Sequence, residues 1–482
     1  MKSIKNSFLR SVILLKIIKD VNISGARLFP IVEGGKGIMV STGITAGHFA
    51  KNGVVGTFSG VNPEVIDDNG KLIPRILRAK SRVERQLEMI EHSIKGIVSQ
   101  AKRAKDICGN NGRIHMNVLW EMGGTEKILN EALDKAKGLV HGITCGAGMP
   151  YKLSEIAAKY KVYYYPIVSS MRAFRALWTR SFSKAKDWLG GVVYECPWRA
   201  GGHNGLSNND DPNIPGDSYE RVKELRKFMN SVNLQNVPII IAGGVWNIEE
   251  YESWIDNPEI GPIAFQFGTR SMVTQESPIP QEWKEMLLNL KEGDIIANRF
   301  SPTGFSSSAI NNEFLQELQE RKARQVEYSE AQQPEFNSEV LCGASKNKFY
   351  IHSEDKDKVQ QWINAGFTEA VRTPEKTMVF MNFEKLNELK NDMRECHGCL
   401  STCKFSCWSQ YNSEQGYSSG KLPDFRSFCI QKTLQKAAQG IDTTKQLLFA
   451  GTNAYKFASD PFYNNGFIPT INQLVERIKL GK

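Results

Sequence analysis

The chain alternates short apolar runs with longer stretches in which apolar residues return every three or four positions. The runs begin near Leu28, Val54, Ile114, Leu139, Val162, Val192, Pro238 and Pro262. Each is short and bounded by turn residues, the pattern of a strand buried on both faces. Between them, Val83, Leu87, Ile90, Ile94, Ile97 and Ala101 recur at helical spacing, as do Met171, Phe174, Trp178, Phe182, Ala185 and Leu189. Strands alternating with helices imply a parallel sheet. Eight such units in about 250 residues match the size of a (β/α)8 TIM barrel, which is the α/β fold expected here. An open doubly wound sheet would normally place G-x-G-x-x-G after its first strand, and Gly34-Gly35-Lys36-Gly37 is not that pattern.

The ends of the last three runs carry the candidate chemistry. Gly201-Gly202-His203 follow Val192-Val193-Tyr194-Glu195-Cys196, so the histidine is expected at the C-terminal end of a strand. Ala242-Gly243-Gly244 ends the next run, and Gly268-Thr269-Arg270 the one after. Glycine turns let backbone N–H groups approach an anion, and the turns after strands 7 and 8 of a barrel commonly share one phosphate site. For either turn alone, a plain strand-to-helix connection is the simpler reading. His203 is the expected catalytic group, because a neutral imidazole near pH 7 takes a proton from an acidic C–H or returns one to a carbanion. A loop histidine that bonds its own turn is the alternative. Asn117, ending the third strand, has an amide that donates and accepts; it could equally cap a turn. Gly146 and Ser169 are weaker candidates, placed at the ends of strands 4 and 5 by position only.

Four segments together resemble the nitronate monooxygenase (2-nitropropane dioxygenase) family: Phe29-Pro30-Ile31-Val32-Glu33-Gly34-Gly35, Ala200-Gly201-Gly202-His203-Asn204-Gly205, Ile241-Ala242-Gly243-Gly244-Val245 and Phe267-Gly268-Thr269-Arg270. Flavin-type enoyl-acyl-carrier-protein reductases are similar in the same motifs. Ser301-Pro302-Thr303-Gly304 and Phe449-Ala450-Gly451-Thr452-Asn453-Ala454-Tyr455 also look familial. The resemblance implies an FMN whose phosphate is held by Gly243, Gly244, Gly268 and Thr269. Its flat ring would lie against Gly34 and Gly35 beside Asn117, with Gly202, Gly146 and Ser169 nearby. It also implies an oxidoreductase that acts on a small nitronate or carbanion, with O2 as oxidant and His203 as proton carrier. NAD(P)H-dependent reduction of an enoyl thioester is the alternative within enzymes, and a non-catalytic metal- or phosphate-ligand sensor the alternative outside them. Family members often carry Gln-Gly-Gly-Met where this chain has Glu33-Gly34-Gly35-Lys36, and a Glu where Trp198-Arg199 stand. Lys36 and Arg199, if both point inward, would favour an anionic substrate.

Length and cysteines complete the picture. The 482 residues exceed one ordinary domain. The expected division is a leader helix over 1–20, an FMN-binding barrel over 21–312, a cysteine-containing elaboration over 313–445 and a C-terminal segment over 446–482 that packs back on the barrel. The net charge of +9 is spread along helix-period stretches, so solvated helix faces explain it and no nucleic-acid partner is expected. No run of eighteen apolar residues exists, so no membrane span is expected. Nine cysteines, an odd number mostly clustered late in the chain, argue against a secreted disulfide framework and for the cytoplasm. Cys396, Cys399 and Cys403 have metal-ligand spacing. With Cys429 they are the expected site for zinc or an iron–sulfur cluster, Cys407 being spare and buried packing thiols the alternative. A homo-oligomer is left open.

Overall fold

A computed structural model describes residues 18–69, 71–343, 346–410 and 421–482. The leader helix expected over 1–20 falls almost wholly outside them. Eight parallel strands close into a barrel: β1 (Ile31–Glu33), β2 (Val55–Ser59), β3 (Arg113–Leu119), β4 (Gly142–Gly146), β5 (Tyr163–Val168), β6 (Val192–Glu195), β7 (Ile239–Ala242) and β8 (Ile263–Phe267). Each expected run contains or abuts one of them. Neighbours follow chain order, and β8 closes on β1 through pairs such as Gln266 with Val32. The expected (β/α)8 barrel is the observed fold.

Helices follow the strands as α1 (Gly43–Lys51), α2 (Arg82–Cys108), α3 (Thr125–Lys135), α4 (Leu153–Tyr160), α5 (Met171–Arg180), α6 (Ser218–Ser231) and, after β8, α7 (Gln281–Leu288). Helix α2 starts where Ser81 accepts from the Glu84 N–H, and it buries Ile90, Ile94, Ile97 and Ala101 against the barrel. Leu87, expected on that face, is exposed instead, since Gln86 and Met89 take the inward positions. The periodicity from Met171 to Leu189 is two elements: α5 stops before Ser181, and a 3₁₀ segment Phe182–Trp188 carries the rest. After β7 only a 3₁₀ turn, Glu249–Trp254, stands where a helix was expected. The final helix, Ile471–Lys479, buries Ile471, Leu474, Val475 and Ile478 in the same core as α1, and its Lys479 Nζ bonds the Asn52 carbonyl at 3.3 Å.

Side chains in a strand alternate faces, so the residues lining the barrel interior follow from a few of them. Val32, Val55, Tyr165, Val193, Ile240 and Ala264 share one interior cluster, plugged from below by the hairpin Val21–Ile23/Ala26–Leu28. Two residues further along, at the C-terminal mouth, the same faces present Ile167, Glu195 and Gln266. This top layer is the floor of the site.

Between barrel and C-terminus lies a small unit in which Gln325–Glu327, Thr377–Met381 and Glu369–Arg372 form an antiparallel sheet, beside the hairpin Ser338–Cys342/Asn347–Ile351. The cysteine segment then returns to the barrel. Gly123 N–H donates to the Cys399 carbonyl at 3.1 Å, and Ser401 N–H to the Glu121 carbonyl at 2.7 Å. Among the described residues, no helix is long and apolar enough to cross a membrane.

Candidate active site

Above the floor is a cavity of about 490 Å³, of the size that holds a cofactor or a drug-sized ligand. Every cofactor-contacting residue expected from the sequence lines it, together with His203. At one end sit the two glycine turns. Gly243 and Gly244 both have φ +81, a left-handed conformation that costs any other residue about 1–2 kcal/mol. A Cβ on Gly243 would also lie 2.7 Å from the Cys196 carbonyl oxygen. Among the described residues, the N–H groups of Gly243, Gly244 and Gly268 have no acceptor in the protein. Thr269 Oγ1 accepts the Gly451 N–H at 2.9 Å, which leaves its own proton free to donate. Unpaired donors of this kind, on two adjacent strand ends, fit a phosphate without any lysine. Gly243→Ala is therefore expected to weaken FMN retention about tenfold to a hundredfold, by about 1–3 kcal/mol of strain; the flavin-to-protein ratio after dialysis measures it.

Beside the Gly268 turn, where a Cβ on Gly34 would fall 3.2 Å from Gly268 Cα, Gly35 lies flat against Asn117. A Cβ there would fall 2.2 Å from Asn117 Cγ, and one on Gly34 would fall 3.3 Å from Gln266 Cγ. Only a residue without a side chain leaves this edge open, and the amides of Asn117 and Gln266 border it. These residues fit the pyrimidine edge of a flat ring. Gly146 is on the floor as well, at the end of β4. Ser169 serves the wall itself, because its hydroxyl donates to the Gly205 carbonyl at 3.0 Å and so ties β5 to the histidine loop.

His203 is not at a strand end as expected. Strand β6 stops at Glu195, and residues 196–201 form a loop held by the Ala200 N–H on the Cys196 carbonyl at 3.0 Å. Gly202, at φ +68, then turns the chain so that Gly202–His203 pair antiparallel with Ser307 and Ser308 of the strand Ser307–Ile310. Phe449 packs on the ring with centroids 5.6 Å apart. Its Nε2 lies 2.7 Å from Ser301 Oγ and 3.2 Å from Thr303 Oγ1. Burial pushes its pKa down to about 4, so the imidazole is neutral over the ordinary pH range.

Charge in the cavity differs from the expectation. Lys36 does point inward but donates to Glu33 and to Ser271 Oγ at 3.1 Å, so it brings no net charge. Glu33 also accepts the Thr57 N–H at 2.8 Å. Arg199 is exposed, lays its stem on Gly244 and has no ion-pair partner among the described residues. One cation therefore remains where two were expected.

Three parts of the wall were not assigned to the site from the sequence. Phe449, Ala450, Gly451 and Asn453 close it from the C-terminus, with Asn453 Nδ2 donating to the Gly244 carbonyl at 2.6 Å. Cys399 lines it too, bringing the cysteine segment to the cavity itself. Glu195 stands on the floor, and a single carboxylate ending an apolar strand was the available signal. Cys396, Cys399, Cys403 and Cys429 are electrostatic neighbours, and burial with mutual repulsion pushes the Cys399 thiol well up. Among the described residues, however, no three His, Cys, Asp or Glu side chains are disposed to hold a metal ion.

A family model described as nitronate monooxygenase matches residues 23–476. FabK from Thermotoga maritima is similar in structure, with a TM-score of 0.50 and 14% identity over 97% of this chain and 94% of that one. The enoyl reductase domain of MlnA from Bacillus amyloliquefaciens is similar with a TM-score of 0.51 and 12% identity, over 94% and 93%. No curated protein matches the chain.

Proposed function

The chain belongs to the nitronate monooxygenase family and is a flavin-dependent oxidoreductase, and on that premise we propose that it binds FMN and oxidises a small nitronate or carbanionic substrate with O2. The non-catalytic sensor is set aside by the same membership. The observation that carries the proposal is the meeting, in one cavity, of N–H donors unpaired among the described residues, on two adjacent strand ends, and a neutral imidazole.

Bound FMN supplies the electron acceptor and the reaction with oxygen. Everything else falls to the chain. Gly243, Gly244, Gly268 and Thr269 hold the phosphate, while Gly34 and Gly35 admit the ring and Asn117 and Gln266 orient its polar edge. Ser301 and Thr303 fix the histidine by its Nε2. With Nε2–H donating to Ser301, the lone pair that takes a substrate proton is on Nδ1. A developing negative charge on the substrate stabilises the imidazolium so formed, which offsets its low resting pKa. Phe449, Leu400 and Leu434 keep the pocket apolar and exclude water.

Those apolar residues are also the observation that favours the second reading, since they would seat the acyl chain of an enoyl thioester reduced by NAD(P)H. Two assays on one purified sample separate the readings: oxygen uptake with a nitronate, and nicotinamide oxidation with an enoyl thioester. A colourless protein that takes up no FMN on reconstitution would overturn both.

Arg199 carries the preference for an anion. Arg199→Glu is expected to lower kcat/KM for an anionic substrate about tenfold or more relative to a neutral one of the same size. An unchanged ratio would remove Arg199 from substrate selection.

A further inference from the structure

Glu195 has no part in the chemistry above, yet its position is specific. It is the last residue of β6, pairs in register with Ala242 immediately before the Gly243-Gly244 turn, and shares the inward face of Val193. It therefore belongs to the floor on which the cavity's contents rest. Floor side chains other than Glu195 are apolar, as Ile167 is, or carry neutral amides, as Asn117 and Gln266 do. Among the described residues, its carboxyl has no hydrogen-bond donor or cation in the protein. A carboxylate cannot be left so without a large desolvation penalty, whereas a carboxylic acid can, and it then has one O–H to donate.

We propose that Glu195 is held as a neutral acid and donates its proton in a hydrogen bond to negative charge in the cavity, either on the reduced cofactor or on an oxygen of a bound anion. The inference rests on the flavin-site reading. It adds a donor that acts without transferring its proton: the O–H bond stays intact, and the anion is stabilised because an acid in an apolar place is a strong donor.

Burial alone raises this carboxyl to about 8. No other cavity group couples to it. His203 titrates far below, at about 4, the Cys399 thiol is pushed well up, Lys36 is paired with Glu33, and Arg199 reaches from the phosphate end. From the neighbouring strand β5, the Tyr164 and Tyr165 phenols are raised by burial and stay neutral. A pH effect near 8 in the cavity is thus assigned to Glu195. Negative charge beside the acid raises its pKa further, so binding or creating that charge becomes linked to keeping the proton.

The experiment has two arms on the purified holoenzyme. One follows the midpoint potential of the bound flavin from pH 6 to 10; the other follows the dissociation constant of nitrate, a planar oxyanion that does not react, by calorimetry. If the reduced cofactor is the acceptor, the potential gains an extra downward slope beginning near pH 8. If a bound anion is the acceptor, nitrate weakens about tenfold per pH unit above about 8. Glu195→Gln keeps the size and one donor but cannot ionise, so it removes the bend, with the flavin content measured in both proteins. The proposal is overturned if neither quantity bends in the wild type, or if the bend survives Glu195→Gln. Loss of FMN from the wild type would count against the flavin reading, and the nitrate arm would still decide Glu195.

Discussion

Replacing His203 by alanine is expected to lower turnover of a neutral carbon acid by about 10²–10⁴-fold, the range for removing a positioned general base. The same variant should lose much less on the pre-ionised form of that compound, because the proton is already gone. The comparison is between a nitroalkane and its nitronate, with flavin content checked in both proteins. His203 is suited to this test because its pKa, near 4, leaves it neutral from about pH 5 upward, so the wild type has no histidine limb above that. Stability runs in a defined direction as well. The unfolded chain protonates this histidine near 6.5 and the folded one near 4, so His203 destabilises the fold as pH drops from about 6.5 to 4 and adds no further loss below. A His203→Asn protein should lack that loss. Equal impairment on nitroalkane and nitronate would mean that the ring positions substrate rather than moving its proton.

The second large effect concerns the pair under the first glycine turn. Side chains of Glu33 and Lys36 are 0% and 4% exposed, and the two form an ion pair. Burial pushes the Glu33 carboxyl up, and Lys36 with the Thr57 N–H pulls it down. Lys36→Met leaves Glu33 buried without its cation, and removing one partner of a buried pair typically costs about 3–5 kcal/mol. Glu33→Gln/Lys36→Met removes both charges and should recover most of that stability, while keeping an amide to accept the Thr57 N–H. Chemical denaturation at pH 7 reads both. A single variant as stable as the wild type would show that Glu33 takes up a proton once Lys36 is gone. These residues also hold the turn on which Gly34 and Gly35 stand, so the single variant should lose FMN as well.

The barrel and the content of its mouth were already legible in the amino-acid order. Strands buried on both faces leave continuous apolar runs, helices leave a three-to-four-residue period, and both signals are local. Glycines at strand ends are equally local, because Gly243 and Gly244 answer a backbone conformation that other residues resist. Folding settled whatever depends on side chains distant in the chain. It set Phe449 and the Ser301–Thr303 hydroxyls around His203, and placed that histidine on a small antiparallel pair rather than at a barrel strand end. It also neutralised Lys36 with a carboxylate only three residues away, a pairing invisible until β1 is known to end there with both side chains buried. Cys399 reached the cavity because its segment docks on the loop after β3. Glu195 lay in plain view in the sequence, but its lack of a partner among the described residues is a property of the closed barrel. Local backbone preference is written residue by residue, whereas charge and proton affinity are set by burial and by partners that only folding brings near.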